Sequence, residues 1–441
     1  MSILEEFSDL AVAPLSGADT ARKVARMSAL DWVAVGRAGG EEPVARIVRE
    51  LALDEGGDAQ ASVFAGTKRL PARAAALVNG TTSHALDYDD THFAHIGHPS
   101  VAVFPAALAI GENLDLPLDA VLDAALVGME LSVRVGLWLG RDHYQIGFHQ
   151  TATAGAFGAT AAAGRLLGLD AERMRHALAL TATRASGLKA QFGTMGKPYN
   201  AGIAASNGLE CAQLASRGFL SNPESFAGPF GFGATHHGMS ALEDALSGIG
   251  NEWLFEDVSH KFHACCHGLH AVLEAARTLD LAEPEIADMT VHTHPRWMSV
   301  CNQLAPDTGL GAKFSYRTVL AMVALGHDTA ALESYSERVC ALPKLQALRE
   351  RIEVREDSSL SETAARLLVT RRDGKRLEAV HDLLSPMPLS QREERVRAKA
   401  ATLIGADVAG QVWTLLNGGG RAGDLAAFIA AEAASARPDF V

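Results

Sequence analysis

Cysteine is scarce in this chain. The five present, Cys211, Cys265, Cys266, Cys301 and Cys340, are odd in number and scattered along 441 residues. That excludes a disulfide framework, and no C-x2-C pair offers a zinc site. A reducing cytoplasm is the expected compartment. Positive charge is also short: 39 Lys and Arg face 52 Asp and Glu, for a formal net charge of -13. Such a chain is a poor partner for nucleic acid or an anionic membrane. A local cationic pocket for a small acidic molecule stays compatible with it. Long apolar runs are missing too. The uncharged stretches Thr151–Gly164 and Val101–Gly111 are too short, and too rich in Ala and Gly, to cross a bilayer. Early acids at the N-terminus, with no basic segment, are not the pattern expected of a secretory signal. Aromatic residues make up only 6%, against 48% hydrophobic overall. Alanine dominates that share and favours closely packed helices.

The apolar spacing predicts helices over 19–37, Pro71–Ala85, Leu118–Leu137, Thr151–Leu167, Ala171–Ala185 and Gly202–Ser216. The Ala- and Gly-rich run 151–164 has almost no large side chain, and is expected to be a helix buried on all sides. After about residue 268 the pattern changes. Ile286–His294 alternates as a strand does, with Met289, Val291 and Thr293 on one side. Ile352–Arg355 and Leu367–Thr370 are also strand-like, and 371–376 reads as a hairpin turning on Asp373-Gly374. Helical periodicity returns over Gln391–Leu403, Ala409–Leu416 and Gly423–Ala434. The predicted fold is therefore mainly α. A large, discontinuous all-helical domain (1–267 plus 389–441) carries a smaller α+β lid domain (268–388) inserted within it.

Five segments could carry chemistry. His84–Ser100 holds four His and three Asp. On a helix, His84, Asp87 and Thr91 would share a face, and His98 would lie on a turn opening the next helix. A metal site, a solvated cap and an acid–base site all compete here. No named metal motif is present, and converging titratable groups between apolar helices favour acid–base work. His149 stands at the start of the Ala/Gly-rich helix, where backbone amides favour bound anions. Lys197, between Gly196 and Pro198, cannot belong to a helix interior, and is either a solvated loop lysine, a cation for a carboxylate or a desolvated base. Lys261–His270 contains Cys265, Cys266 and His267, and reads as the wall of a polar pocket. Lys313–Arg317 sets the Tyr316 hydroxyl between Lys313 and Arg317, where it either caps a helix start or donates to developing negative charge.

Taken together, the chain resembles the MmgE/PrpD family. The resemblance runs through His84-Ala-Leu-Asp-Tyr-Asp-Asp-Thr91, His98-Pro-Ser100, Gly147-Phe-His149, Gly196-Lys197-Pro198, Lys261–His270 and Phe314-Ser-Tyr316. That family includes 2-methylcitrate dehydratase, cis-aconitate decarboxylase and iminodisuccinate epimerase. The resemblance implies a helical domain with an inserted lid, a homodimer, and a site with no cofactor and no metal. It also implies a small anionic polycarboxylate substrate, in a site lined by Asp87, Thr91, His98, His149, Lys197 and Tyr316. Lys261, Cys266, His267 and Arg317 are added as substrate-binding candidates. The shared chemistry is proton removal or return at the carbon next to a carboxylate, with His149, Lys197 or Tyr316 as the base. One departure stands out: Cys266 occupies the place, five residues after Lys261, where the decarboxylase-like pattern has His. The spacing from Thr91 to His98 is also one residue longer. The expected activity is epimerisation of an iminodisuccinate-type substrate. Dehydration of a 2-methylcitrate type and cis-aconitate decarboxylation are the lyase alternatives, and a ligand-binding relative without turnover is the non-enzymatic one.

Overall fold

In the computed structural model, residues 1–238 and 241–431 are described. They divide into two compact units. The first comprises Met1–His260 and Val396 onward, and the second Lys261–Arg395. The chain is mainly helical, with one four-stranded sheet. Among the described residues no helix is long and apolar enough to cross a membrane.

The first unit is built around nine longer helices of its N-terminal part: α1 (Ile3–Val12), α2 (Asp19–Ala38), α3 (Pro43–Glu55), α4 (Ala72–His84), α5 (Ser100–Asn113), α6 (Leu118–Ile146), α7 (Gln150–Leu166), α8 (Ala171–Thr181) and α9 (Gly196–Ser216). The Ala/Gly-rich segment is α7, and every residue from Gln150 to Gly164 is buried, as its composition demands. It packs on α5, α6 and α9. The backbones come very close: a Cβ on Gly158 would lie 2.4 Å from the Gly128 carbonyl oxygen of α6. Larger residues fill the remaining space, with Trp32 stacked on Phe104 and meeting Phe64 edge-on.

Several predicted boundaries shift. The helix expected to stop at Leu137 runs to Ile146, bent where Gly140 takes a positive φ of 71°. The helix expected to reach Ala185 ends at Thr181, where the buried Thr181 hydroxyl bonds back to the Ala177 carbonyl. The helix expected from Gly202 begins six residues earlier, at Gly196, because Pro198 falls in its first turn, where a missing N–H costs nothing. Helices α1 and α3 had no counterpart in the sequence reading. α1 opens with a capping box between Ser2 and Glu5.

The second unit carries the sheet, in the order β2-β1-β3-β4. Strand β1 (Ile286–Thr293) pairs parallel with β2 (Ile352–Glu356) and antiparallel with β3 (Ala364–Arg371), which pairs antiparallel with β4 (Arg376–Asp382). Met289, Val291 and Thr293 are buried, as their alternation predicts. The β3–β4 hairpin closes where expected, with Gly374 alone taking the positive φ, 87°, and Asp373 accepting from the Lys375 amide. The helix His270–Arg277 packs on β3 and β4. The three C-terminal helices are Leu389–Ile404, Ala406–Gly418 and Ala422–Ala430. The last was expected to continue to Ala434, and 432–434 lie outside the described residues.

Candidate active site

The polar groups of the first unit meet where four chain segments end or begin. Helix α4 terminates at His84, and the chain then turns sharply, the Asp87 amide donating to the His84 carbonyl at 3.1 Å. Asp87 takes φ 50°, in the left-handed region that Asp tolerates better than most residues. The helix therefore cannot continue, and the expectation that His84, Asp87 and Thr91 share one helical face is corrected. Thr91 lies instead in a short antiparallel bridge with Ser259. His98 does precede a helix: Pro99 caps α5, and the His98 amide donates to the Thr151 hydroxyl of α7 at 3.1 Å. His149 is the residue before α7 and is itself buried. Gln150 fixes the entry to that helix by donating to the carbonyls of Gly136 and Gly140 at the bend of α6.

These turns bring Asp87, His98, His149 and Lys197 together with two groups that the sequence reading left out of the site, His84 and Asp89. Lys197 stands in the first turn of α9, with its ammonium 2.6 Å from Asp87 Oδ2. It is not a solvated loop lysine. The other oxygen of Asp87 is 3.6 Å from His98 Nε2. Asp89 lies beneath, with Oδ1 2.9 Å from His84 Nδ1 and Oδ2 2.7 Å from His98 Nδ1. The His84 ring meets His98 edge-on at 4.6 Å and stacks on His149 at 6.0 Å. Phe192 closes one side, edge-on to His149 and 5.3 Å from the Lys197 ammonium.

Burial and charge tune these groups. Burial pushes the Asp89 carboxyl up, but the two imidazoles outweigh it and hold it well below the usual range. Burial, reinforced by the neighbouring His84 and Lys197, drives His149 well below an ordinary imidazole, so it is neutral at pH 7. Asn200 approaches His149 Nδ1 through its amide nitrogen at 3.3 Å, and the same nitrogen reaches the Leu188 carbonyl. Nδ1 of His149 therefore accepts, and the ring proton sits on Nε2. Asp90, one residue beyond Asp89, points elsewhere. It accepts from the Ser100 hydroxyl at 2.5 Å, and burial raises its pKa to about 7.

His84, Asp87, Asp89 and His98 come close enough together to suggest a divalent cation. The two carboxylates already face charged or proton-bearing partners, however. A cation would have to displace the Lys197 ammonium from Asp87 and both imidazoles from Asp89.

The remaining candidates belong to the second unit. Tyr316 is fully buried, and its hydroxyl donates to the Gly268 carbonyl while lying 2.8 Å from the Thr293 hydroxyl. Its donor is thus committed inside the unit, and burial pushes its pKa up. Arg317 donates to Asn302 at 2.6 Å. Lys261 is buried, and Cys266 and His267 are half-buried. His263, absent from the candidate set, bridges Thr329 and Glu274, and Glu274 also receives Arg395. Burial raises the Glu274 carboxyl, but these hydrogen bonds outweigh it and hold it below the usual range.

A family profile described as the MmgE/PrpD N-terminal domain matches residues 9–244, and one for the MmgE/PrpD C-terminal domain matches 263–408. Among curated proteins, the chain is 29% identical over 373 residues to cis-aconitate decarboxylase of Mus musculus, covering 79% of this chain and 76% of that protein. It is 29% identical over 371 residues to cis-aconitate decarboxylase of Aspergillus terreus, covering 76% and 74%. It is 34% identical over 220 residues to the Homo sapiens enzyme of the same name, covering 48% and 45%.

Proposed function

Because this chain belongs to the MmgE/PrpD family, we propose that it is a polycarboxylate enzyme that creates or consumes negative charge on the carbon beside a carboxylate. The site is Asp87, Thr91, His98, His149 and Lys197. One observation carries this reading: a partly buried ammonium, Lys197, and the proton carrier His98 converge on the same small carboxylate, Asp87. A substrate carboxylate placed there would meet the same cation. The proton beside a carboxylate is weakly acidic, so the reaction needs charge stabilisation that strengthens as the enolate forms. Lys197 supplies positive charge, and neutral His149 supplies an Nε2–H, the arrangement by which a neutral imidazole can stabilise an enolate.

We favour a lyase acting on a cis-aconitate-like acid, on the strength of the relatives. In such a reaction a C–C bond breaks, carbon dioxide leaves, and the electron pair left behind takes a proton. Epimerisation of an iminodisuccinate type is the second reading, and Cys266 is what favours it. This residue stands where the decarboxylase-like pattern has His, and it is half-buried. Cys266 and His267 remain our substrate-binding candidates in the second unit. For Tyr316 we propose a structural role.

The test is proton NMR in heavy water with cis-aconitate, 2-methylcitrate, citrate and iminodisuccinate, each incubated with the pure protein. Replacement of the cis-aconitate proton signals by those of a decarboxylated product, or new vinylic signals from a hydroxy acid, supports the lyase. Exchange of the iminodisuccinate α-proton with appearance of the other stereoisomer supports the epimerase. Silence from all four acids ends the polycarboxylate assignment.

A further inference from the structure

We infer that Asp89 is a positioning residue that decides which nitrogen of His98 can take a proton, with His84 held by the same carboxylate as its counterpart. Asp89 is 1% exposed and lies between the two rings. Its oxygens sit 2.9 Å from His84 Nδ1 and 2.7 Å from His98 Nδ1. The His84 contact is a hydrogen bond, so that Nδ1 carries its hydrogen; the His98 contact has the distance of an ion pair without the angle of a hydrogen bond, and at 2.7 Å the negative carboxylate favours a proton over a lone pair on the facing Nδ1. A neutral His98 then has its lone pair on Nε2. That nitrogen is 3.6 Å from Asp87, beyond hydrogen-bond length, and the other Asp87 oxygen is held by Lys197.

His149 is set the opposite way. Its Nδ1 accepts from Asn200, which leaves its proton on Nε2. The two imidazoles are therefore not interchangeable: His98 is built to accept a proton and His149 to donate a hydrogen bond. His84 cannot reach a substrate, since its side chain has no exposure, and its Nε2 has no partner among the described residues. Its contribution is to Asp89. Two donors keep one carboxylate ionised where burial alone would neutralise it. The other titratable groups around this trio are Asp87 and Lys197 on the site side, His149 stacked on His84, and Asp90 and His95 behind.

This inference rests on the proposed function for its substrate, but the tautomers can be read without one. The first measurement is nitrogen NMR of the full-length protein carrying 15N-labelled histidine, with signals assigned from H98Q and H84Q, followed to the alkaline end of the His98 titration. A proton on Nδ1 of His98 and on Nε2 of His149 is expected. A His98 protonated on Nε2 overturns the proposal. The second measurement is Asp89→Asn on whichever acid the wild type turns over. The kcat should fall by roughly 10^3- to 10^4-fold, as when an orienting carboxylate is lost from a catalytic histidine. KM should stay within about threefold, and the acid limb of kcat/KM should move to lower pH because a neighbouring negative charge is gone. An unchanged pH profile in a folded Asp89→Asn protein refutes the assignment. If no acid is turned over, the functional reading fails, and the tautomers still decide this one.

Discussion

At the level of single residues, the run Asp87-Tyr88-Asp89-Asp90 sends three neighbouring carboxylates to three different environments. Asp87 meets a cation, Asp89 two imidazoles and Asp90 a serine hydroxyl. Two substitutions separate their roles. Lys197→Gln removes the positive charge while keeping a polar side chain. It should lower kcat by about 10^2- to 10^3-fold, the usual cost of losing one charge-stabilising donor, with little effect on thermal stability. Steady-state kinetics beside a melting curve would check this, and near-normal turnover would remove Lys197 from the mechanism. Asp90 makes a pH prediction. Its pKa is raised to about 7 in the folded protein, against about 3.9 when unfolded. Between those values the folded state binds more protons than the unfolded one, so this group lowers stability as pH rises from about 4 to 7, and adds no further change above that. Asp90→Asn keeps an acceptor for Ser100 and removes the titration. The variant should gain stability relative to wild type on going from pH 5 to pH 8, by about 2–3 kcal/mol. Calorimetry at the two pH values would show it, and a gain equal at both would contradict the raised pKa.

Among the elements, the site depends on helices that end or begin at it, and so on how closely they pack. Helix α4 ends at His84 and α9 begins beside Lys197, and their backbones touch at Gly80 and Gly202. A Cβ on Gly202 would lie 2.4 Å from the Leu77 carbonyl and 2.2 Å from the Thr81 hydroxyl. Gly202→Ala should therefore push α4 and α9 apart, costing about 1–3 kcal/mol and lowering kcat although it touches no site residue. Full activity would show that the site tolerates such a shift. A second support comes from far along the sequence. Lys399, on the helix Leu389–Ile404, is buried, pairs with Asp31 at 2.6 Å and donates to the Tyr88 carbonyl between Asp87 and Asp89. Lys399→Met leaves a buried carboxylate uncompensated and should cost about 3–5 kcal/mol. Adding Asp31→Asn should recover much of that stability but not the anchored turn. Denaturant melts of the single and double variants distinguish these effects, and a double variant no more stable than the single would refute the pairing. Sequence periodicity located most of these elements, because burial imposes a repeat that can be read directly. It failed at the Asp87 turn, where the sequence contains no glycine to mark a left-handed residue, and at Gly196, where Pro198 read as a break rather than as part of a first helical turn.

For the molecule as a whole, the family membership and the site chemistry predict selective stabilisation by small polycarboxylates. Binding to the folded state raises the melting temperature by mass action, about 2.7 kcal/mol at a hundredfold excess over Kd. Cis-aconitate or citrate should raise it, and a monocarboxylate of similar size should do so far less. Equal shifts from both would point to nonspecific ion binding. The sequence by itself determined the helical character, the buried Ala/Gly-rich helix and the strand-bearing segment, and it singled out Asp87, Thr91, His98, His149 and Lys197 as candidates. These follow from local composition, spacing and motif, which are written along the chain. Only the tertiary structure decided that Asp89 and His84 belong with them, that Lys197 faces Asp87, and that the Tyr316 hydroxyl is committed to Gly268. The reason is physical. A side chain's partner, and therefore its proton, depends on which distant backbone turns meet, and residues such as Lys399 and Tyr88, 311 positions apart, share a hydrogen bond only once the chain is folded.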